Sequence, residues 1–217
     1  MRINQYIAQA TGLSRRKADD FVANGKVTIN GRIAKLGENI SNADKIAIEG
    51  KVIESKPFTT IILNKPAGYV CSREGQDGPT IYELLPKNLH HLKYAGRLDK
   101  ESSGLLLLTN DGKLLYELTH PSKEEIRKYY AELESPLKAN DIEAIQKGIA
   151  LNDGMSTLRL NPADDTKKHW QIEMKEGRNR QIRRTFGALG YTVTKLVRQT
   201  HGKYSLGDLK PGQYKEI

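Results

Sequence analysis

Gly96-Arg97-Leu98-Asp99-Lys100-Glu101-Ser102-Ser103-Gly104-Leu105-Leu106-Leu107-Leu108-Thr109-Asn110-Asp111-Gly112 joins a glycine-bounded polar turn to an unbroken apolar run. The leucines Leu105 to Leu108, followed by the turn residues Thr109, Asn110, Asp111 and Gly112, predict a buried strand that ends in a turn. Asp99 therefore stands just ahead of an element that cannot easily move. A carboxylate presented by such a strand can act as a nucleophile or a general base. A solvated turn carboxylate with Arg97 as surface partner is the commoner fate of an acid in a loop, and spacing alone leaves both readings open.

Working outward, extended runs are expected at residues 60–64, 69–72, 129–133, 158–160, 170–175 and 192–198. Helices are expected at 81–85, 113–119, 139–148 and 178–187. Many strands with interspersed, non-alternating helices predict an α+β domain over residues 59–217, built on a large mixed, mainly antiparallel sheet. Residues 1–48 form a separate module. There Ile3, Tyr6, Ile7 and Ala10 recur at helical spacing, and Ser14 can cap a second helix through Phe21 and Val22. Alternating segments follow around the turns Asn30-Gly31 and Asn42-Ala43-Asp44, giving a small sheet. Residues 49–58, polar and closing on Lys56-Pro57, read as a linker.

The formal charge of +9 and a pI near 9.5 favour a polyanionic partner. Much of that charge is local. Between Lys175 and Lys203 stand the cations Lys175, Arg178, Arg180, Arg183, Arg184, Lys195, Arg198 and Lys203, with Glu176 as the one acid. A single cysteine, Cys71, excludes an internal disulfide and argues against a cysteine-rich zinc site. The five histidines lack ligand spacing, so no metal is expected. No stretch approaches the roughly 20 apolar residues of a membrane span, and the amino terminus lacks a secretory core, so a cytoplasmic protein without membrane contact is expected.

The stretch 96–112 resembles the signature loop of the RsuA family of pseudouridine synthases, which modify ribosomal RNA. The resemblance implies that Asp99 is the nucleophile, with attack at the uracil ring and at the ribose carbon both open to it. It implies that Arg97 occupies the space a flipped uridine leaves behind. Asn64-Lys65-Pro66-Ala67-Gly68 is similar to the family's first motif, in which Lys65 shapes the substrate cleft. Lys128-Tyr129-Tyr130 resembles the family's Lys-x-Tyr, placing Tyr130 against the uracil and Tyr129 on the opposite face of its strand. Glu176 to Arg184 resembles the third motif. By that likeness Arg183 pairs with Asp99, Ile182 walls the base pocket, and Arg178, Arg180 and Arg184 face RNA.

Residues 1–48 resemble the αL RNA-binding motif known from a ribosomal small-subunit protein, in the Arg-Ile-Asn start, the Ser-Arg-Arg-Lys-Ala helix and the Gly-x-Val-x-x-Asn-Gly hairpin. Ser14, Arg15, Arg16, Lys17 and Arg32 would contact RNA there. Cations beside the free amides of a helix start suit phosphate.

The implied function is isomerisation of one uridine in ribosomal RNA, by a monomer and without a cofactor. The stretches Glu176–Arg184 and Leu209–Ile217 are closer to the large-subunit enzymes. A non-catalytic RNA-binding assembly factor would explain the basic stretches equally well. The joint presence of Asp99, Tyr130 and Arg183 separates the two, because an acid aimed at RNA repels phosphate. A glycosidase would need a second carboxylate, and the nearest, Glu101, points elsewhere in an extended loop.

Overall fold

The computed structural model describes residues 1–217 except Asn42, Gln76 and Asp77, so the turn expected at Asn42 lies outside the described residues. The amino-terminal module runs α1 (Ile3–Thr11), α2 (Arg15–Ala23), β1 (Val27–Ile29), β2 (Arg32–Ile33), β3 (Ile46–Ile48) and β4 (Lys51–Ile53). The amide of Lys17 donates to Ser14 Oγ at 3.2 Å, which caps α2 as its sequence requires. The strands form one antiparallel sheet in the order β2-β1-β3-β4. Ile3 and Ile7 of α1, Ala18 and Val22 of α2, and Val27, Ile29 and Ile46 of the sheet share one core. Each fully buried isoleucine there contributes about 1.5–3 kcal/mol.

Part of the expected linker is structure. Lys51–Ile53 pairs with β3, and the phenol of Tyr6 donates to the Ile53 carbonyl at 3.2 Å. A three-residue strand on an exposed edge carries no apolar alternation to reveal it.

The second unit contains β5 (Thr60–Lys65), β6 (Lys93–Ala95), β7 (Ser103–Thr109), α3 (Gly112–Thr119), β8 (Arg127–Leu133), α4 (Ala139–Lys147), β9 (Ile149–Leu151), β10 (Gly154–Ser156), β11 (Arg159–Pro162), β12 (His169–Met174), α5 (Gln181–Gly187), β13 (Val193–His201), β14 (Tyr204–Ser205) and β15 (Tyr214–Glu216). Its main sheet has the order β11-β12-β8-β13-β7-β5-β15, with β6 beside β7 and β14 beside β13. The β13–β7 pair is parallel while β8, β12, β11, β5 and β15 pair antiparallel, the mixed α+β architecture expected.

Both faces of β7 are covered, which explains four consecutive leucines. Leu106 and Leu108 join Ile61 and Leu63 in the principal core, while Leu105 and Leu107 pack with Ile62 and Leu118 on the other side. Gly104 sits opposite Arg198 of β13, and a Cβ there would stand 2.7 Å from the Arg198 amide nitrogen. Only glycine permits that approach.

Three expected elements differ. Residues 69–72 form no strand beyond a bridge from Val70 to Thr80, and the helix at 81–85 is a short 3-10 turn over Ile81–Leu84. The helix placed at 178–187 starts only at Gln181, because Arg180 adopts a left-handed conformation with φ +48°.

Candidate active site

β5 delivers Lys65 to the interior, where it is wholly buried. Its ammonium donates to the carbonyl oxygens of Ser102 at 2.7 Å, Pro66 at 3.0 Å and Asp99 at 3.1 Å. Burial holds this ammonium below the usual lysine range, with the charges of Cys71 and Asp99 acting in the opposite sense. Lys65 does not line the cleft, so it is not placed to bind substrate; it shapes the cleft from inside, as an internal mooring of the 99–102 loop. Leu98, 6% exposed, anchors the same loop in the core, and the Ser102 amide closes it on the Asp99 carbonyl at 3.1 Å. The half-buried Asp99 is thus fixed by its backbone on both sides.

The Asp99 side chain faces a cleft of about 180 Å³, below the roughly 300–1,000 Å³ of pockets for drug-sized ligands. Arg97 and Leu98 stand beside Asp99 on the loop, Tyr129 and Arg127 enter from β8, Leu196 and Arg198 from β13, and Gln181, Ile182 and Arg183 from α5. Arg178 and Arg180 complete a wall with six arginines around one acid. Among the described residues the Asp99 carboxylate has no ion pair.

Arg183 shares this cleft with Asp99 but is not paired with it. Its guanidinium donates to the Val193 carbonyl at 2.6 Å and to the Glu101 carbonyl at 3.4 Å. Burial, then the charge of Arg180, pulls Arg183 below the ordinary arginine value, while Glu101 and Asp99 favour its charge. The expected contact is replaced by a longer-range influence within one pocket. Glu101 turns away to Arg180, 2.7 Å from its Nη1.

The tyrosine assignment is also corrected. Tyr129, 7% exposed, lines the cleft, whereas Tyr130 faces the other side of β8, near the His169 ring and the Lys195 ammonium. Strand alternation joins Tyr129 to Arg127, so the basic-x-Tyr spacing is met by Arg127-Lys128-Tyr129, one position earlier than read.

Residues 59–188 match the family described as RNA pseudouridylate synthase, and residues 1–53 match the S4 domain. The chain belongs to the RNA pseudouridylate synthase family. It is 34% identical over 223 residues to "Ribosomal large subunit pseudouridine synthase B" of Bacillus subtilis (strain 168), covering all of this chain and 91% of that protein. It is 35% identical over 227 residues to "Ribosomal small subunit pseudouridine synthase A" of Pasteurella multocida (strain Pm70), covering all of this chain and 96% of that one. A crystal structure of a pseudouridylate synthase agrees with a TM-score of 0.71 at 34% identity, covering 100% of this chain and 96% of the other. The chain spans about half the length of several other curated relatives it matches, from 40% to 59%.

Within this synthase fold the RNA-facing candidates divide. Arg15, Arg16 and Lys17 are exposed at the start of α2, and Ser14 spends its hydroxyl on the cap. Arg32 is held by Glu38 at 2.5 Å. Arg178 is structural: its guanidinium donates to the carbonyls of Met155 at 2.7 Å and Asp153 at 2.8 Å, and to the Asp153 carboxylate at 2.8 Å. Arg184 binds the same carboxylate at 2.7 Å and Asn152 Oδ1 at 2.7 Å. Both were expected to face RNA; both tie the β9–β10 hairpin to the third motif, and Arg178 also lines the cleft.

Arg127 and Arg198 were missed. Arg198 is 1% exposed, and its place two residues beyond the core-facing Leu196 is the signal that assigns it to the interior. No helix among the described residues is long and apolar enough to cross a membrane, and no group of His, Cys, Asp and Glu among them could hold a metal.

Proposed function

We propose that this protein converts one uridine of ribosomal RNA to pseudouridine, with Asp99 as the nucleophile and the S4 domain as an RNA dock. The observation that carries the reading is a fixed, half-buried carboxylate, without an ion pair among the described residues, in a cleft walled by arginines. A surface that only bound RNA would gain nothing from that acid, which repels phosphate. Covalent catalysis accounts for it.

Asp99 adds to the uracil ring or to ribose C1′, the glycosidic bond from C1′ to N1 breaks with its electron pair on N1, the base turns and C5 bonds to C1′. The bond to Asp99 then breaks, and the C5 hydrogen leaves as a proton while N1 gains one from solvent or a nearby group. Atoms and charge balance without a cofactor. Arg97, exposed at the rim, takes the place of the flipped nucleotide in the stack, offsetting part of the few kcal/mol that unstacking costs. Tyr129 stacks on the ring and Ile182 walls it, while Arg183 favours the charged form of the nucleophile from across the cleft.

Large-subunit ribosomal RNA is the favoured target, supported by the likeness of Glu176–Arg184 and Leu209–Ile217 to the large-subunit enzymes. The active species is a monomer in the cytoplasm. Mapping pseudouridines in ribosomal RNA from cells with and without this protein tests the reading. One large-subunit uridine should remain unmodified when the protein is missing; an unchanged map in both subunits contradicts the proposal.

A further inference from the structure

The floor of the cleft holds two arginines, Arg198 and Arg127, that make no ion pair among the described residues. Arg198 Nε donates to the Leu105 carbonyl at 2.8 Å, and its Nη2 is buried with no hydrogen-bond partner among the described residues. Arg127 donates to the carbonyls of Lys175 at 3.0 Å and Leu118 at 3.1 Å. β8 and β13 pair Tyr129 with Arg198 and Arg127 with His201, so all four side chains belong to one face of the sheet. Gly104 lets the backbone of Arg198 press against β7 and thereby sets the guanidinium at the cleft floor.

The electrostatics of this corner are one-sided. Each guanidinium is close enough to depress the other's neighbours: His201, wholly buried, is pushed down to about 3 by burial and then by Arg198 and Arg127, and is therefore neutral near pH 7. Its Nε2 meets the Leu118 carbonyl at 2.9 Å, so it carries the proton there, and Nδ1 has no partner among the described residues. Glu125 acts on Arg127 but does not line the cleft. Backbone carbonyls orient these two cations without neutralising them. A buried cation left without a counter-charge is costly, and the cost is recovered when an anion enters.

We propose that Arg198 and Arg127 form a phosphodiester-binding subsite that grips the backbone phosphate of the flipped nucleotide while Tyr129 and Asp99 engage its base and sugar. The choice of phosphate over a uracil oxygen follows from the charge: a neutral carbonyl would satisfy the free Nη2 donor but leave both positive charges unmatched. The placement rests on the catalytic reading of the cleft, whereas the anion site itself does not.

Calorimetric titration of the whole protein with inorganic phosphate, uridine and uridine 5′-monophosphate tests it. The wild type should bind the monophosphate at least tenfold tighter than uridine and should bind inorganic phosphate measurably. Arg198→Met, which keeps an unbranched apolar stem and removes the guanidinium, should lose most of the preference while staying folded, since removal of the buried charge offsets the loss of the donor to the Leu105 carbonyl. Arg127→Met serves the same purpose if Arg198→Met fails to fold. Equal binding of uridine and its monophosphate by the wild type overturns the proposal, as does a variant whose phosphate affinity stays within twofold. Arg198-dependent phosphate binding in a protein that modifies no uridine would uphold the subsite and remove the catalytic reading; modification with phosphate affinity independent of both arginines would do the reverse.

Discussion

The ammonium of Lys65, with no exposure to solvent, lies 3.1 Å from the carbonyl oxygen of Asp99. The candidate nucleophile is thereby positioned through its backbone by a cation that never meets the substrate. Lys65→Met should leave the Ser102, Pro66 and Asp99 carbonyls short of their donor, at about 1–3 kcal/mol for an unsatisfied buried group. A lower melting temperature together with a fall in kcat larger than the change in KM is expected. Wild-type values of both would remove the mooring role.

Tyr129 and Tyr130 are adjacent yet occupy opposite faces of β8, so their variants should diverge. Tyr129→Phe should reduce kcat by roughly tenfold or more if the phenol takes part in proton transfer, and Tyr129→Ala further, because the stacking surface is lost. Tyr130→Phe should stay near wild type. A larger effect at Tyr130 would reverse the assignment.

That divergence marks where reading the chain succeeds and where it stops. The leucine run 105–108 and the glycine-bounded loop declare a buried strand and the acid ahead of it, because burial on two faces demands such a sequence. Between Tyr129 and Tyr130, however, facing depends on register, and a slip of one position reverses it. The roles of Arg178 and Arg184 were equally hidden: an arginine that clamps carbonyls and one that contacts phosphate look alike until the Asp153 hairpin is seen folding back onto them. Lys65 illustrates the converse, since a lysine closing an apolar strand gives no hint that four backbone oxygens surround it.

Arg15, Arg16 and Lys17 are the exposed cations of α2, and their joint replacement by alanine should weaken RNA binding across sequences. Removing three phosphate contacts should lower the slope of log affinity against log salt by about 2–3. Filter-binding measurements across a salt series give that slope. Arg184→Ala should instead lower the melting temperature with little change in slope, because its charge is already matched by Asp153. An unchanged slope in the triple variant would leave RNA docking to the catalytic unit alone.

His201 provides a pH signature. Its folded value of about 3 lies below the ordinary 6.5, so the unfolded chain takes up the proton first as pH falls. The stabilising contribution is complete above pH 6.5 and is lost progressively down to about pH 3, at up to about 1.4 kcal/mol per pH unit. Thermal unfolding of wild type against His201→Gln should show a steeper acid decline in the wild type within that window. Parallel curves would mean that the imidazole is not held neutral.

The central claim is that Asp99 does covalent chemistry. Ribosomal RNA tritiated at uracil C5 releases its label only when C5 becomes the point of attachment, so tritium release by Asp99→Asn, compared with RNA affinity in the same preparation, is the most direct measurement. Release should fall to background, by at least a thousandfold, while affinity stays within a few-fold of wild type; release at more than a few per cent of the wild-type rate would contradict the account.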